Sequence, residues 1–147
     1  MIDLLTYSES KEIVELANEL AIDETELIQS VINNEQDFEV DNYRFIDELE
    51  ALKKVINMYE CDEYILGCFN ADFIEDFIPL DYESIKIIQE SENYEVIGKL
   101  ILNSGNIVVM MKEYIRLDGY GHALNSYDGS SNEIQLNGID YIYYRNN

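Results

Sequence analysis

The one histidine of this chain, His122, lies in the segment DGYGHALNSYDG, between Asp118 and Gly129. Histidine titrates near neutral pH, so His122 with Asp118 or Asp128 as an orienting carboxylate is a candidate general base. Catalysis of that kind also needs a nucleophile, and no nucleophile motif accompanies the histidine. We therefore predict that the protein is not an enzyme, and catalysis by His122 is the least favoured hypothesis.

The glycines around this histidine are better explained by turns than by phosphate binding. A GxGxxG loop needs a strand before it and a helix after it, whereas Gly119 and Gly121 lead into a predicted strand. Asp128-Gly129 and Asn137-Gly138 are hairpin signals, because these residues tolerate positive φ. Alternating apolar residues follow each of them. The sequence therefore predicts a three-stranded antiparallel β-meander over residues 118–147.

No cofactor and no metal site is predicted. Cys61 and Cys68 are separated by seven positions, which fits no CxxC or Cys/His zinc spacing. The acidic cluster that includes Asp72 and Asp81 is interrupted by an apolar stretch at residues 77–80, where an EF-hand loop would need oxygen ligands and a glycine.

Helical periodicity dominates residues 1–117. Ile13, Leu16 and Leu20 form an apolar stripe, and Asp23-Glu24-Thr25-Glu26 is a helix-start pattern before a second stripe. Residues near 37–46 alternate and predict one extended segment. We expect one α+β domain over residues 1–147, with five to seven short helices in an acidic N-terminal body and the β-meander at the C-terminus.

Charge is the strongest compositional signal. The 147 residues include 31 acids and 9 bases, a net charge of −22. Residues 1–100 hold 26 acids and 6 bases, while residues 101–147 hold 5 and 3. This charge repels nucleic acid and anionic membranes, so direct binding of either is disfavoured. Because neither a signal sequence nor a long apolar run is present, we predict a cytoplasmic protein.

The same charge suggests a protein that imitates DNA. Twenty-two charges correspond to about 11 base pairs of duplex, or roughly 37 Å. A mimic must gather its acids on one face, and Glu12, Glu15 and Glu19 share one side of the first helix, with Lys11 as the only base before residue 44. The predicted partner-binding face consists of Glu12, Glu15, Glu19, Asp23, Glu24, Glu26, Glu35, Asp37, Glu39 and Asp41.

Three segments are similar to parts of a known family. The segments are FEVDNYRF from Phe38, YEVIGKLI from Tyr94, and the terminal DYIYYRNN. They resemble stretches of ArdA-type antirestriction proteins, although Arg44 and Lys99 stand where that family favours other residues. The resemblance implies a DNA mimic of a phage or mobile element that occupies the DNA-binding groove of type I restriction enzymes.

The leading hypothesis is therefore a non-enzymatic inhibitor whose partner is the basic groove of a host defence enzyme of the restriction or CRISPR type. The alternative is a protein-protein interaction module that uses a tyrosine-rich C-terminal sheet, with the acids serving solubility. Its interface would comprise Tyr127, Tyr141, Tyr143 and Tyr144. A homodimer is compatible with either hypothesis.

Overall fold

The computed structural model describes the backbone of residues 7–147 and the side chains of residues 10–147. It is an α+β protein. The helices are α1 (Tyr7–Leu20), α2 (Glu24–Ile32), α3 (Glu48–Glu60), α4 (Glu63–Gly67), α5 (Ala71–Ile74), α6 (Tyr82–Glu90), α7 (Tyr94–Ser104), α8 (Ile107–Asp118) and α9 (Tyr120–Leu124). The strands are β1 (Asp37–Val40), β2 (Tyr43–Asp47), β3 (Asn132–Leu136) and β4 (Ile139–Arg145).

The chain divides into two compact units. Unit 1 combines Met1–Ala51 with Asp118–Asn147, and unit 2 is Leu52–Leu117. The change from the predicted helical body to the predicted C-terminal region, at residues 117 and 118, coincides with one boundary between the units. All four strands belong to unit 1. A single domain over residues 1–147 remains a prediction.

The sheet has four antiparallel strands in the order β1-β2-β4-β3. Two hairpins supply them, and the central pairing of β2 with β4 sets Phe45 opposite Tyr143 and Ile46 opposite Ile142. The Asn137-Gly138 turn joins β3 to β4 with both residues at positive φ, which confirms this predicted hairpin. The sheet therefore unites the predicted extended segment near 37–46 with the C-terminus.

The core of unit 1 lies between the sheet and the pair α1 and α2. Phe38 and Phe45 stack with their ring centroids 5.2 Å apart, and the edge of Tyr141 meets Phe38 at 5.8 Å. Ile13 of α1 and Leu27 of α2 are fully buried in the same cluster. Burial of this continuous apolar face holds the two helices against the sheet.

The prediction of a three-stranded meander over residues 118–147 is wrong at its first strand. Residues 120–124 form α9, and the sheet instead takes two strands from residues 37–47. The segment is too short for its apolar period to distinguish a helix from a strand. Glycine at position 121 permits the close packing seen here, because a Cβ there would lie 2.4 Å from the carbonyl carbon of Ser130. The loop after α9 folds back onto this glycine. The Asn125 side chain fixes that loop by donating hydrogen bonds to Asp128 and to the carbonyl of Ser130.

The predicted helical body is matched in outline, because the described residues 7–117 contain eight helices, α1 to α8, rather than the five to seven predicted for residues 1–117. Asp23 caps α2 through a 2.9 Å hydrogen bond from the Glu26 amide. Asp81 caps α6 in the same way, with the Ser84 amide at 2.8 Å. Gly105 ends α7 in the left-handed region, with φ of 77°.

Unit 2 is built on unusually close helix packing. A Cβ on Gly67 of α4 would lie 1.8 Å from the carbonyl oxygen of Tyr94, and one on Gly98 of α7 would lie 2.0 Å from that of Glu63. Since both neighbours are backbone atoms, α4 and α7 touch main chain to main chain. Elsewhere in the unit, aromatic rings form a connected series of Tyr59, Phe69, Phe73, Phe77 and Tyr114.

Candidate partner-binding surface

All ten acids of the predicted partner-binding face are exposed. Glu12, Glu15 and Glu19 lie on one side of α1, about 100° from the stripe that packs into the core. We call these three residues the α1 row. Because they are three and four residues apart, the Cβ atoms of successive residues in the row lie about 5–6 Å from each other, and the row forms a continuous line of negative charge.

A second group of acids surrounds the start of α2. The Asp23 amide donates a 2.9 Å hydrogen bond to Oδ2 of Asp41, which brings the β1–β2 turn against the cap of the helix. Glu24 and Glu26 occupy the first turn of the same helix and are exposed. The positive end of the helix dipole partly offsets repulsion among these carboxylates.

Glu19 approaches the sheet at this end of unit 1. Partial burial raises the pKa of the Tyr143 hydroxyl, and the negative charge of Glu19 and the nearby Tyr43 raise it further. Tyr143 packs against the same buried cluster as Ile13 and Leu16 of α1, so the negative charge of Glu19 on that helix acts on this tyrosine.

The remaining acids do not share this surface. Phe38 and Val40 face α1 and α2, so alternation along β1 directs Asp37 and Glu39 to the opposite face of the sheet. Glu35 lies in the loop before β1, where its backbone carbonyl accepts a hydrogen bond from the Tyr141 hydroxyl at 3.1 Å. The structure therefore divides the ten acids between two sides of the sheet.

Asp37 is partly neutralised within the chain. Arg44 donates hydrogen bonds from Nε and Nη2 to the two carboxylate oxygens of Asp37, at 3.0 and 2.8 Å. The hydrogen bond to Asp37 raises the pKa of the guanidinium, so this pair stays charged. Arg44 also donates to the hydroxyl of Tyr144 at 3.4 Å. Arg44 thus links β1, β2 and β4 and removes Asp37 from the available negative surface.

Grouping the chain by its compact units changes the charge distribution. Unit 1 contains 19 acids and 3 bases, a net charge of −16, whereas unit 2 contains 12 acids and 6 bases, a net charge of −6. Two of the three bases in unit 1 make contacts within the chain: Arg44 binds Asp37, and Arg145 lies over the ring of Tyr127 at 5.5 Å. Negative charge is therefore concentrated on the unit that holds the predicted face.

Sequence reasoning missed one acidic feature of unit 1. Glu48, Glu133 and Asp140 line a shallow cleft of about 320 Å³ beside Gln135. Partial desolvation raises the pKa of Glu48, and the negative charges of Glu133, Asp140 and Asp47 raise it further. Alternation in the β3–β4 hairpin would have placed Glu133 and Asp140 on one face, but the position of Glu48 depends on the long-range pairing of β2 with β4.

The four tyrosines of the alternative interface do not form one exposed surface. Tyr141 is 0% and Tyr144 is 1% exposed, and their hydroxyls donate to the carbonyls of Glu35 and Leu124. Tyr143 is only partly exposed. Tyr127 is half exposed and holds Arg145 over its ring. Tyr141 and Tyr144 thus belong to the interior of unit 1.

His122 lies exposed on α9 rather than at the start of a strand. The Asp128 carboxylate accepts hydrogen bonds from Asn125 and from the amide and hydroxyl of Ser130. The Ser130 amide bond is the main reason that the pKa of Asp128 is lowered. The Asp128 carboxylate therefore stabilises the loop between Asn125 and Ser130 through these hydrogen bonds. Among the side chains of residues 10–147, no three histidine, cysteine or acidic groups are arranged to hold a metal ion.

Comparison with known proteins gives no relative for this chain. No protein family, no curated protein and no solved structure matches it. The similarity of its segments to ArdA-type proteins stays a resemblance. Within residues 7–147, none of the helices combines the length and apolar character needed to cross a bilayer.

Proposed function

We propose that the protein is a non-enzymatic inhibitor that presents carboxylates of unit 1 to the basic groove of a host nucleic-acid-binding defence enzyme of the restriction or CRISPR type. The observation that carries this proposal is the charge of −16 on unit 1. Its binding surface is the α1 row with Asp23, Glu24, Glu26 and Asp41, all of which are exposed. The resemblance to antirestriction proteins agrees with a phage or mobile-element origin and a site of action in the host cytoplasm.

The physical basis is substitution of carboxylate for phosphate. Arginine and lysine side chains that bind the DNA backbone also pair with carboxylates, and arginine does so through two parallel hydrogen bonds. The residues of the α1 row belong to one helix, so the spacing of their backbone positions is fixed before binding and only the side-chain rotamers remain to be ordered. Acids at the start of α2 extend this surface beyond a single helix. Asp37 and Glu39 are left out of it, because they lie across the sheet.

The tyrosine-based alternative receives less support from these positions. Two of its four side chains are buried, and the ring of a third holds Arg145. The acids follow the sizes of the units closely, since unit 1 holds 81 of the 147 residues and 19 of the 31 acids. The excess negative charge of unit 1 comes mainly from its few bases, 3 of the 9, and solubility alone does not require that arrangement.

Competition for DNA tests the proposal. A purified type I restriction enzyme and a purified CRISPR effector are each loaded with a fluorescent duplex, and displacement is followed by anisotropy. We expect the protein to displace DNA from at least one of them at 0.05 M NaCl and to lose most of its affinity at 0.5 M, because salt screens exposed charge pairs. Displacement that is equal at the two salt concentrations would exclude charge mimicry.

A matched pair of variants locates the surface. Glu12→Gln, Glu15→Gln and Glu19→Gln together remove three charges from the α1 row. The control, Glu60→Gln, Glu83→Gln and Glu90→Gln, removes three exposed charges from unit 2. At about 0.5 kcal/mol for each exposed pair, the first variant should bind about tenfold more weakly, and the control should lose much less. Equal losses would assign the effect to total charge.

A further inference from the structure

Unit 2 presents an exposed pair of tyrosine rings. The rings of Tyr64 on α4 and Tyr94 on α7 lie with their centroids 5.2 Å apart and their planes at 67°. Tyr64 is 50% exposed and Tyr94 is partly exposed. In an edge-to-face arrangement of this kind, the edge of one ring covers one face of the other, and this contact leaves the remaining ring faces unused.

Close helix packing fixes the position of the pair. The carbonyl oxygen that leaves no room for a Cβ at Gly67 belongs to Tyr94 itself, and the one that faces Gly98 belongs to Glu63, the neighbour of Tyr64. Both rings therefore project from backbone segments in direct contact. A rigid aromatic pair at the surface binds with a smaller loss of side-chain entropy than two mobile rings.

Two exposed carboxylates flank Tyr94 in the chain, because Glu92 lies two positions before it and Glu95 follows it directly. The pKa of the Tyr64 hydroxyl is raised by Cys68, by desolvation and by Tyr94, and the negative charges of Glu92 and Glu95 raise it further. An open aromatic surface bordered by acids is complementary to a cation that is also planar and weakly hydrated.

We propose that Tyr64 and Tyr94, with Glu92 and Glu95, form a binding site for an arginine side chain of a basic protein partner. The guanidinium lies on a ring face and donates hydrogen bonds to the neighbouring carboxylates. This site rests on the proposed function, since it gives the acidic inhibitor a second contact with a basic partner. Arginine is preferred to lysine, because its planar group stacks on aromatic rings and gives up less hydration.

The chain itself contains an example of this recognition. In unit 1, the guanidinium carbon of Arg145 lies 5.5 Å from the centroid of the exposed Tyr127 ring. That distance is within the range of cation–π attraction. The pair of rings in unit 2 offers more aromatic surface than this single ring, and the two acids add hydrogen-bond acceptors.

Short cationic peptides test the site in the full-length protein. Calorimetry in 0.15 M NaCl compares acetylated hexa-arginine amide with hexa-lysine amide, using wild type and the double variant Tyr64→Leu, Tyr94→Leu. Leucine keeps the apolar character and the net charge. We expect the double variant to bind hexa-arginine at least fivefold more weakly and to lose the preference for arginine. The control Tyr82→Leu, at a tyrosine 40% exposed on α6, should bind as wild type does.

Two further measurements make the outcome decisive. The variant Tyr64→Phe, Tyr94→Phe keeps both rings and should retain the affinity, which separates ring recognition from loss of the hydroxyls. In wild type, NMR signals of the Tyr64 ring should shift on addition of hexa-arginine, and this needs no variant to fold. Unshifted ring signals, or a folded leucine variant that binds like wild type, would overturn the proposal.

The same titration distinguishes this site from the proposed function. If Glu12→Gln, Glu15→Gln, Glu19→Gln weakens DNA displacement while the leucine variant does not weaken hexa-arginine binding, the charged surface stands and the aromatic site is wrong. If the leucine variant weakens peptide binding and no defence enzyme releases its DNA, the aromatic site stands and the proposed function is wrong.

Discussion

Unit 1 and unit 2 differ in the kind of surface they offer. Unit 1 has a net charge of −16 with three bases, and unit 2 has −6 with six. Of the eleven large hydrophobic side chains that are exposed in residues 10–147, nine belong to unit 2. Charge dominates one unit, whereas apolar and aromatic groups with mixed charges dominate the other. Binding to unit 1 should therefore depend more strongly on salt than binding to the exposed apolar groups of unit 2.

The interiors of the units differ as well. Unit 1 buries an aromatic sheet face under two helices, and its strands come from both ends of the chain. Unit 2 depends on backbone contact at Gly67 and Gly98. A substitution at these glycines meets main chain, which cannot move aside as a flexible side chain can. Unit 1 has one such contact, at Gly121, and unit 2 has two, so the comparison predicts that more positions of unit 2 are sensitive to a single added methyl group.

The largest expected effect is at Gly98. In Gly98→Ala, the new Cβ would meet the carbonyl oxygen of Glu63 at 2.0 Å, so α4 and α7 must separate. We expect the free energy of unfolding to fall by about 3 kcal/mol, measured by urea denaturation. The control is Gly105→Ala, where φ is 77° but no atom lies within 4 Å of the new Cβ, and the expected cost is about 1 kcal/mol. Equal costs would contradict the close packing.

Local signals predicted much of this fold from the sequence. The helix-start pattern at Asp23 and the Asn137-Gly138 turn each depend on a few neighbouring residues, and both are present. The prediction of a strand at residues 120–124 is wrong, because so short an apolar segment does not distinguish a helix from a strand by its period. The packing of Gly121 against the loop after α9 is a tertiary contact that a short window of sequence does not contain.

The sequence predicts which acids of the candidate surface are exposed, but it does not predict which of them share one side of the sheet. Helical periodicity correctly identified Glu12, Glu15 and Glu19 as exposed. The pairing of β2 with β4, about 100 positions apart, decides which acids share a side of the sheet. It also joins the C-terminal residues to the acidic N-terminal region. The sequence division at residue 100 therefore groups the acids of residues 52–100 with the N-terminal region, whereas the compact units assign them to unit 2.

A smaller effect is expected from Arg44, the base that ties Asp37 to the sheet. Arg44→Met removes two hydrogen bonds to Asp37 and one to Tyr144, and it leaves a partly buried carboxylate without this partner. We expect a loss of about 1–2 kcal/mol in the free energy of unfolding. Arg44→Lys should recover only part of this loss, because an ammonium group cannot bind both carboxylate oxygens in parallel.

Lys11→Met is the matched control, since it removes one positive charge from unit 1 at an exposed position on α1. We expect its effect to stay within about 0.5 kcal/mol. A similar loss in the two variants would mean that the total charge of unit 1, rather than the bonds of Arg44, determines its stability.

The smallest expected effect concerns pH and the cleft at Glu48. Desolvation raises the pKa of Glu48 in the folded protein, and Glu133, Asp140 and Asp47 raise it further. The folded state therefore binds a proton more readily than the unfolded state, and this group adds stability as the pH falls through its folded pKa toward about 4.5. Glu48→Gln removes the repulsion at all pH values. It should be more stable than wild type at pH 7, by about 0.5 kcal/mol or less after screening.

The contribution of Asp81 in unit 2 should depend on pH in the opposite direction to that of Glu48 in unit 1. Stability measured as a function of pH therefore compares the two units directly. The hydrogen bonds of Ser84 lower the pKa of Asp81, so its contribution is present above the unfolded pKa and is lost as the pH falls through the folded one. At pH 7 the melting temperature of Glu48→Gln should therefore be higher than that of wild type, and the melting temperature of Asp81→Asn should be lower. Both differences should shrink as the pH falls from 7 to 3. If Glu48→Gln were less stable than wild type at pH 7, the cleft would not be a site of net repulsion. The acids that line it would then not lower the stability of unit 1.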